Sequence, residues 1–239
     1  MNQKWGIVGL GWLGNELATR LAQSGFEYWG THRSSFDWER DDFPLTSCDV
    51  LFLNTPPLNH ITPKDFVEKV PPQKGRIIFI SSIGVYGEVY GTITEKTIPR
   101  PNTTNGIWLY EVEKMLLDKF KDQITIIRAG GLIGGNRHPV FSLAIKPEMV
   151  IPEGIINLIH RNDLISIIMA ISTIDKSLPL LNAVAPYHPL KSEYYSLWAN
   201  KHGFGLLRFS KESENRKIVQ SEVLDTIYSN WHCPELDVL

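Results

Sequence analysis

Three glycines near the start of the chain, Gly9, Gly11 and Gly14, have the spacing of a phosphate-binding turn. In such a turn the first glycine allows a tight bend, and the second lets a pyrophosphate approach the backbone. The third lets the following helix pack closely on the preceding strand. The N-terminus of that helix would also face the phosphate charge. The three positions predict a dinucleotide-binding site, and the alternative is a glycine-rich turn that holds no ligand.

The residues on either side of the glycines fit this prediction. The apolar run 5–8 precedes them and is typical of a short buried strand. Residues 15–21 follow, with Leu13, Leu17 and Leu21 at helical spacing, and Gly25 is a natural helix end. Strand, glycine turn and helix is the context in which the motif binds a dinucleotide.

Short apolar runs alternate with helical patterns along most of the chain. The pattern predicts strands at 26–31, 49–54, 76–80, 124–128 and 180–184, and helices at 58–74, 107–121, 164–171 and 192–201. Fully apolar strands that alternate with helices indicate a parallel sheet covered on both faces. We therefore expect an α/β, Rossmann-type doubly wound sheet with a small C-terminal substrate lobe. The expected domains are a dinucleotide-binding core at 1–135 and a substrate lobe at 136–239, interleaved with the last sheet elements.

Composition excludes several classes of function. The chain has 239 residues and a formal net charge of −2, and its lysines and arginines are dispersed. This distribution favours neither nucleic acid nor a membrane surface as a partner, which leaves a small-molecule substrate. The only cysteines, Cys48 and Cys233, are far apart and form neither a disulfide framework nor a metal-ligand cluster. We expect no metal and a cytoplasmic location.

The end of the second predicted strand bears on cofactor choice. NAD-selective sites place an Asp or Glu there to bind the ribose 2′-hydroxyl. Here the first carboxylate is Asp37, whereas Arg33 offers a cationic fork suited to a 2′-phosphate. This favours NADP(H) over NAD(H), although Arg33 is alternatively a solvated loop residue. The candidate cofactor-binding residues are Gly9, Gly11, Trp12, Leu13, Gly14, Thr31, His32, Arg33, Ser34, Thr55 and Pro56.

Four later segments resemble a known family. Residues 81–88 are similar to its "SS-x-x-VYG" segment, 128–134 to its "LR-x-x-x-x-YG" strand and loop, 157–164 to a helix entry and 182–186 to a late strand. The family is the atypical and extended short-chain dehydrogenase/reductases of the NAD(P)-dependent epimerase/dehydratase type. The resemblance implies a Rossmann sheet, a small or nucleotide-linked, sugar-like substrate, and a catalytic serine at Ser82.

The chain departs from the family in its glycine motif and its catalytic dyad. G-x-G-x-x-G replaces the usual G-x-x-G-x-x-G of the extended members, which indicates the atypical branch. The family helix reads Tyr-x-x-x-Lys-x-x-x-Glu. If Glu113 is that glutamate, Asn105 stands at the tyrosine and Leu109 at the lysine. Asparagine has no phenol for proton transfer and leucine has no ammonium, so this register leaves the dyad missing.

A displaced dyad is the alternative. Tyr110 and Lys114 have the right spacing but lie five residues later. Five residues rotate a helix by about 500°, which places the pair on another face, where it would be an ordinary surface pair. The missing dyad is favoured, and the displaced one stays open.

Two functions from different classes remain. The first is an NADP-dependent oxidoreductase or epimerase, and the second is a catalytically impaired NAD(P)-binding sensor or regulatory protein. The glycines and Ser82 favour the first, whereas the missing dyad favours the second. Because ligands of open α/β sheets bind at the carboxyl ends of the strands, four further residues are candidates for substrate binding. They are Tyr86, Arg137, His138 and His160.

Overall fold

The structure is a computed structural model and describes residues 3–44, 46–146, 148–211 and 216–238. Twelve strands and six α-helices alternate along these residues. The strands are β1 Lys4–Val8, β2 Glu27–Thr31, β3 Val50–Leu53, β4 Arg76–Ser82, β5 Gly91–Ile93, β6 Ile124–Ala129, β7 Gly131–Ile133, β8 Val150–Ile151, β9 Leu158–His160, β10 Leu180–Ala183, β11 Arg208–Phe209 and β12 Lys217–Val219. The helices are α1 Trp12–Gln23, α2 Pro63–Lys69, α3 Thr104–Phe120, α4 Pro139–Ala144, α5 Arg161–Ser172 and α6 Lys191–Lys201.

The largest sheet has six parallel strands in the order β10-β6-β4-β3-β1-β2. The order runs outward from β1 in two directions, which is the doubly wound Rossmann arrangement. Ile7 of β1 is the register partner of Gly30 in β2 and of Phe52 in β3. The carboxyl ends of β1, β2 and β3 therefore lie side by side. The predicted α/β Rossmann-type fold is confirmed.

Burial explains why these segments form strands and helices. All four residues of β3 and all six of β6 are buried, as the apolar runs predicted. Helix α1 buries a face that includes Leu13, Leu17 and Leu21 against the sheet. Thr62 and Thr103 cap α2 and α3 through their side-chain oxygens. In the part of the chain that the structure describes, no helix is long and apolar enough to cross a membrane.

The chain forms two compact units, each of several segments. The first comprises the described residues up to Glu88, with Ile98–Arg128 and Ile165–Leu181. The second comprises Val89–Thr97, Ala129–Leu164 and the described residues from Asn182 onward. This division differs from the predicted boundary after residue 135, because the chain passes between the units several times.

The second unit has its own small strands and core. Three parallel pairs, β5 with β12, β7 with β9 and β8 with β11, supply its strands. Its buried core includes Ile133, Val140, Tyr194, Trp198 and Leu236. Aromatic side chains of α6 thus provide much of the apolar surface that this unit buries.

Candidate dinucleotide site

Two of the three glycines of the turn after β1 are required by the protein itself. Gly9 has a φ of +111°, and a Cβ there would collide with the backbone carbonyl of Asn54. A Cβ on Gly14 would collide with the carbonyl oxygen of Gly9. These two residues therefore let the chain turn and let α1 pack against the end of the sheet.

Gly11 differs from its neighbours. It caps α1 with φ −95° and ψ −156°, a conformation open to any residue, and no atom of the described residues lies within 4 Å of a Cβ built there. Neither backbone strain nor packing within the protein therefore requires glycine at this position. The open space at the N-terminus of a twelve-residue helix fits a phosphate group that must approach the backbone closely.

A cavity of about 660 Å³ opens beside this turn, within the range of cofactor sites. It contains eight of the predicted cofactor residues: Gly9, Gly11, Trp12, Thr31, His32, Arg33, Thr55 and Pro56. Three predicted residues do not line it. Leu13 and Gly14 are buried within the unit, and Ser34 is exposed to solvent. The aromatic residues Phe36 and Trp38, together with Leu58 and His60, line the cavity and were not predicted from the sequence.

The end of β2 presents a cation to this cavity. Arg33 is exposed, and its guanidinium has no ion pair with another described residue. Asp37, the nearest carboxylate along the chain, accepts hydrogen bonds from the backbone N–H groups of Glu39 and Arg40. The Glu39 bond is the main reason that the pKa of Asp37 is below its usual value. The Asp37 carboxylate thus holds a local turn.

Two residues after β3 complete the wall. Asn54 donates from its side chain to the carbonyl oxygen of Gly9 at 3.0 Å, which fixes the glycine turn. The hydroxyl of Thr55 is buried and has no hydrogen-bond partner among the described residues. A buried hydroxyl is normally satisfied, so Thr55 fits a ligand with a polar group. Asn54 was missed as a site residue, although a polar residue at the end of an apolar strand could have indicated it.

The turn after β4 carries the predicted catalytic serine. Ser82 is half-buried, and its oxygen accepts a hydrogen bond from the Gly84 N–H at 3.0 Å. Its own proton is therefore available for donation. Tyr86 is fully buried in the same turn, where its hydroxyl accepts a hydrogen bond from Arg128 Nη1 at 3.0 Å. That burial keeps the ring away from solvent, and the predicted substrate role of Tyr86 has no exposed atom to support it.

A buried ionic network fixes the rotation of α3. Glu113 is 1% exposed, accepts a hydrogen bond from Ser81 and pairs with Arg128 at 2.7 Å. Burial alone would lower the pKa of Arg128, but the hydrogen bond and charge of Glu113 outweigh it and raise that pKa. Arg128 therefore stays charged, and the face of α3 that carries Glu113 points into the first unit.

The residues at the two dyad registers lie in different surroundings. Asn105 is exposed, and its side-chain oxygen accepts a hydrogen bond from Asn59 Nδ2 at 3.1 Å. Leu109 is buried. Lys114 lies 5.0 Å from the centre of the Tyr110 ring and pairs with Glu111 at 2.7 Å. Tyr110 and Lys114 thus contact each other at the surface of the helix.

The three other candidates lie in the second unit. Arg137 is exposed in a turn closed by backbone hydrogen bonds with Gly134. His138 is buried: its Nδ1 accepts the Val140 N–H, and its Nε2 lies 2.9 Å from the hydroxyl of Tyr194. Because Nδ1 is an acceptor, Nε2 carries the proton, and Tyr194 in turn donates to a backbone carbonyl. Both ring nitrogens are occupied, which favours a structural role for His138.

His160 keeps one nitrogen without a partner. Its Nδ1 accepts the Asn162 N–H, whereas the buried Nε2 has no hydrogen-bond partner among the described residues. Burial, and then the charge of His232, lowers its pKa. The sequence predicted a helix over 164–171. Instead α5 begins at Arg161, and the Asp163 carboxylate accepts hydrogen bonds from three groups in the segment 228–233.

Within the described residues, no group of three or more His, Cys, Asp or Glu side chains could hold a metal ion. The titratable residues that line the cavity are therefore not grouped as metal ligands. What the site offers chemically is an open glycine cradle, a cation at one end and a buried hydroxyl on one wall.

Known structures share this architecture. UDP-glucuronic acid 4-epimerase from Bacillus cereus in complex with NAD superposes with a TM-score of 0.76 at 18% identity, over 94% of this chain and 92% of that one. RMD from Pseudomonas aeruginosa complexed with NADPH gives 0.75 at 16% identity, over 95% and 92%. The chain has the Rossmann-type fold of the epimerase and short-chain dehydrogenase/reductase enzymes.

A sequence relative covers nearly all of this chain. Protein YeeZ from Escherichia coli strain K12 is 29% identical, over 98% of this chain and 97% of its own. No protein-family model matches the chain. The similar structures thus show the fold, and the sequence relative aligns with nearly all of this chain.

Proposed function

We propose that this chain binds NADP(H) in the cavity beside Gly11 and acts as an oxidoreductase or epimerase on a small or nucleotide-linked, sugar-like substrate. The observation that carries the proposal is the open space at Gly11. Gly9 and Gly14 are explained by contacts within the protein, but glycine at position 11 is explained by a ligand that occupies the space. The unpartnered Thr55 hydroxyl on the same cavity wall supports this conclusion.

The preference for NADP(H) rests on charge at the end of β2. Arg33 lines the cavity, and its guanidinium can pair with a 2′-phosphate through a charge-assisted hydrogen bond. Asp37 also lines the cavity, but its Oδ1 already accepts from two backbone N–H groups, whereas Arg33 supplies a positive charge that suits a 2′-phosphate. Structures with this fold contain NAD in one case and NADPH in another, which makes the identity of these residues the deciding feature.

The reaction would occur beside Ser82. A bound nicotinamide supplies hydride transfer to or from a carbon that bears oxygen. Ser82 can donate its free proton in a hydrogen bond to that oxygen, because its lone pair already accepts from Gly84. Asn105 and Leu109 offer neither a phenol nor an ammonium. Ser82 would therefore orient the substrate oxygen. The proton of that oxygen must be exchanged with solvent rather than with a tyrosine.

Titration calorimetry with NADPH and NADH tests the cofactor proposal. A charge-assisted contact from arginine contributes roughly 1.5–3 kcal/mol, so NADPH should bind at least about tenfold more tightly. Arg33→Ala should remove the difference. Arg40→Ala is the matched control, because Arg40 is an exposed neighbour that does not line the cavity. Equal affinities in the wild type, or an unchanged ratio in Arg33→Ala, would refute the preference.

Oxidation of NADPH across a panel of sugar-like carbonyl compounds tests the enzymatic proposal. Ser82→Ala should reduce turnover while NADPH affinity stays within about twofold, because the hydroxyl is proposed to contact the substrate. An epimerase returns its cofactor unchanged, so the same panel is also checked for epimerised products. Tight NADPH binding with neither NADPH oxidation nor an epimerised product would favour a sensor or regulatory function instead.

A further inference from the structure

We propose that Asn59 and Asn105 together form a carboxamide pair that binds the nicotinamide half of the dinucleotide. This inference rests on the proposed function and identifies the residues that would replace the missing dyad in holding the cofactor. Their hydrogen bond joins the loop after β3 to the first turn of α3, and both residues are exposed.

Asn59 lies beside the cavity and does not itself line it. It follows Leu58 and precedes His60, and both of these residues line the cavity. Its own side chain reaches α3 and donates to Asn105 Oδ1 at 3.1 Å. The loop is thus held between the dinucleotide site on one side and the helix on the other.

Asn105 lies close to the turn that carries Ser82. The next residue, Gly106, is buried, and a Cβ built on it would lie 3.1 Å from the carbonyl oxygen of Gly84. The first turn of α3 therefore packs against the turn that begins at Ser82. Glu113 lies eight residues further along α3, and its ion pair with Arg128 fixes the rotation of the helix. Asn105 therefore stays on a defined face of α3.

The direction of the dinucleotide points to its nicotinamide half. Arg33 at the end of β2 would hold the 2′-phosphate, which belongs to the adenosine half. The phosphates would lie at Gly11, after β1. The other half must then extend along the carboxyl ends of the strands toward β3 and β4, because the order in the sheet is β2, β1, β3, β4. Asn59 follows β3, and Asn105 adjoins the turn after β4.

The free hydrogen-bonding groups of the pair match that ligand. After their mutual bond, Asn105 retains both N–H donors, and Asn59 retains its carbonyl oxygen and one N–H. Neither side chain has another hydrogen-bond partner in the described part of the chain. A nicotinamide carboxamide and its ribose hydroxyls offer complementary donors and acceptors. Leu109, which occupies the position of the family's lysine, has no such group.

Binding measurements with two ligands test the proposal without any need for turnover. NADPH carries both halves, whereas 2′,5′-ADP carries only the adenosine half with its 2′-phosphate. Asn105→Leu should weaken NADPH binding by about tenfold, and Asn59→Leu by roughly three- to tenfold, because each removes one or more hydrogen bonds. Binding of 2′,5′-ADP should stay within about twofold in both variants. The fluorescence of bound NADPH should also change, since the ring would be less immobilised.

The controls separate this inference from the proposed function. Asn200→Leu removes an exposed asparagine of α6 and should change neither affinity. Wild-type protein that binds neither NADPH nor 2′,5′-ADP would overturn the proposed function itself. Wild-type binding of both, with unchanged NADPH affinity in Asn105→Leu and Asn59→Leu, would overturn only the role of the carboxamide pair. Equal weakening of both ligands would also overturn it, because the effect would not belong to the nicotinamide half.

Discussion

Arg128 holds the carboxylate of Glu113 through three contacts inside the first unit. Its Nε lies 3.2 and 3.1 Å from the two carboxylate oxygens, and its Nη2 lies 2.7 Å from Oε2. The two side chains are only 4% and 1% exposed. A buried pair of this kind contributes little net stability when complete but leaves an uncompensated charge when one partner is removed. Its role here is to fix the rotation of α3.

Glu113→Leu should therefore lower the free energy of unfolding by about 3–5 kcal/mol, since the Arg128 charge would remain buried without its partner. The double variant Glu113→Leu/Arg128→Met should be less destabilised than this single one. Urea denaturation followed by circular dichroism measures both. Glu68→Gln is the control, because the Lys64–Glu68 pair is largely exposed and should contribute less than about 1 kcal/mol. A double variant as unstable as Glu113→Leu would contradict the argument.

Gly11→Val should remove nucleotide binding and leave the fold intact. The backbone angles suit valine, and within the described part of the chain no atom lies within 4 Å of the new Cβ, so we expect a stability loss below about 1 kcal/mol. The valine methyl groups would occupy the space proposed for the pyrophosphate, and the thermal stabilisation by NADPH should vanish.

Gly9→Val is the contrast to this variant. It forces a β-branched residue to a φ of +111° against the carbonyl of Asn54, and it should destabilise the protein without any ligand. Stabilisation of Gly11→Val by NADPH to the extent seen in the wild type would place the phosphates elsewhere.

Most of the fold could be predicted because the information is local. The apolar runs at β3 and β6 and the glycine spacing each depend on a few adjacent residues. The tie from Asp163 to the segment 228–233 could not be predicted, because it joins positions more than sixty residues apart. Arg128 was not recognised as the partner of Glu113 either, because the two lie on different elements, β6 and α3, whose packing the sequence pattern does not give. The boundaries of the two units could not be predicted from the sequence, because the chain passes between the units repeatedly.

His138 should make stability depend on pH. Burial, followed by the charge of His202, lowers its pKa from 6.5 to about 4. The unfolded chain therefore binds a proton at a higher pH than the folded chain does. The contribution of neutral His138 to the free energy of unfolding is complete above about pH 6.5 and is lost as pH falls toward 4. Between pH 7 and 4.5 the loss should be roughly 2 kcal/mol for this residue.

His138→Gln should reduce that slope. Its amide can still donate to Tyr194 but does not titrate. Urea unfolding at pH 7 and 4.5 compares the two proteins, and some dependence should remain because the pKa values of His160 and His188 are also lowered. An identical difference in both proteins would mean that His138 is not a source of the effect.

Tyr110 and Lys114 provide the test of the catalytic register. Because they contact each other at the helix surface, Tyr110→Phe and Lys114→Ala should change the NADPH affinity and any reductase activity by less than about threefold. Exposed helix substitutions of this kind rarely change stability by more than ~0.5 kcal/mol. If the pair were instead the displaced dyad, Tyr110→Phe would remove general acid catalysis and reduce turnover by roughly 10²–10⁴-fold. NADPH oxidation with the best substrate of the carbonyl panel distinguishes the two results. A large loss in Tyr110→Phe would show that the register based on Glu113 is wrong.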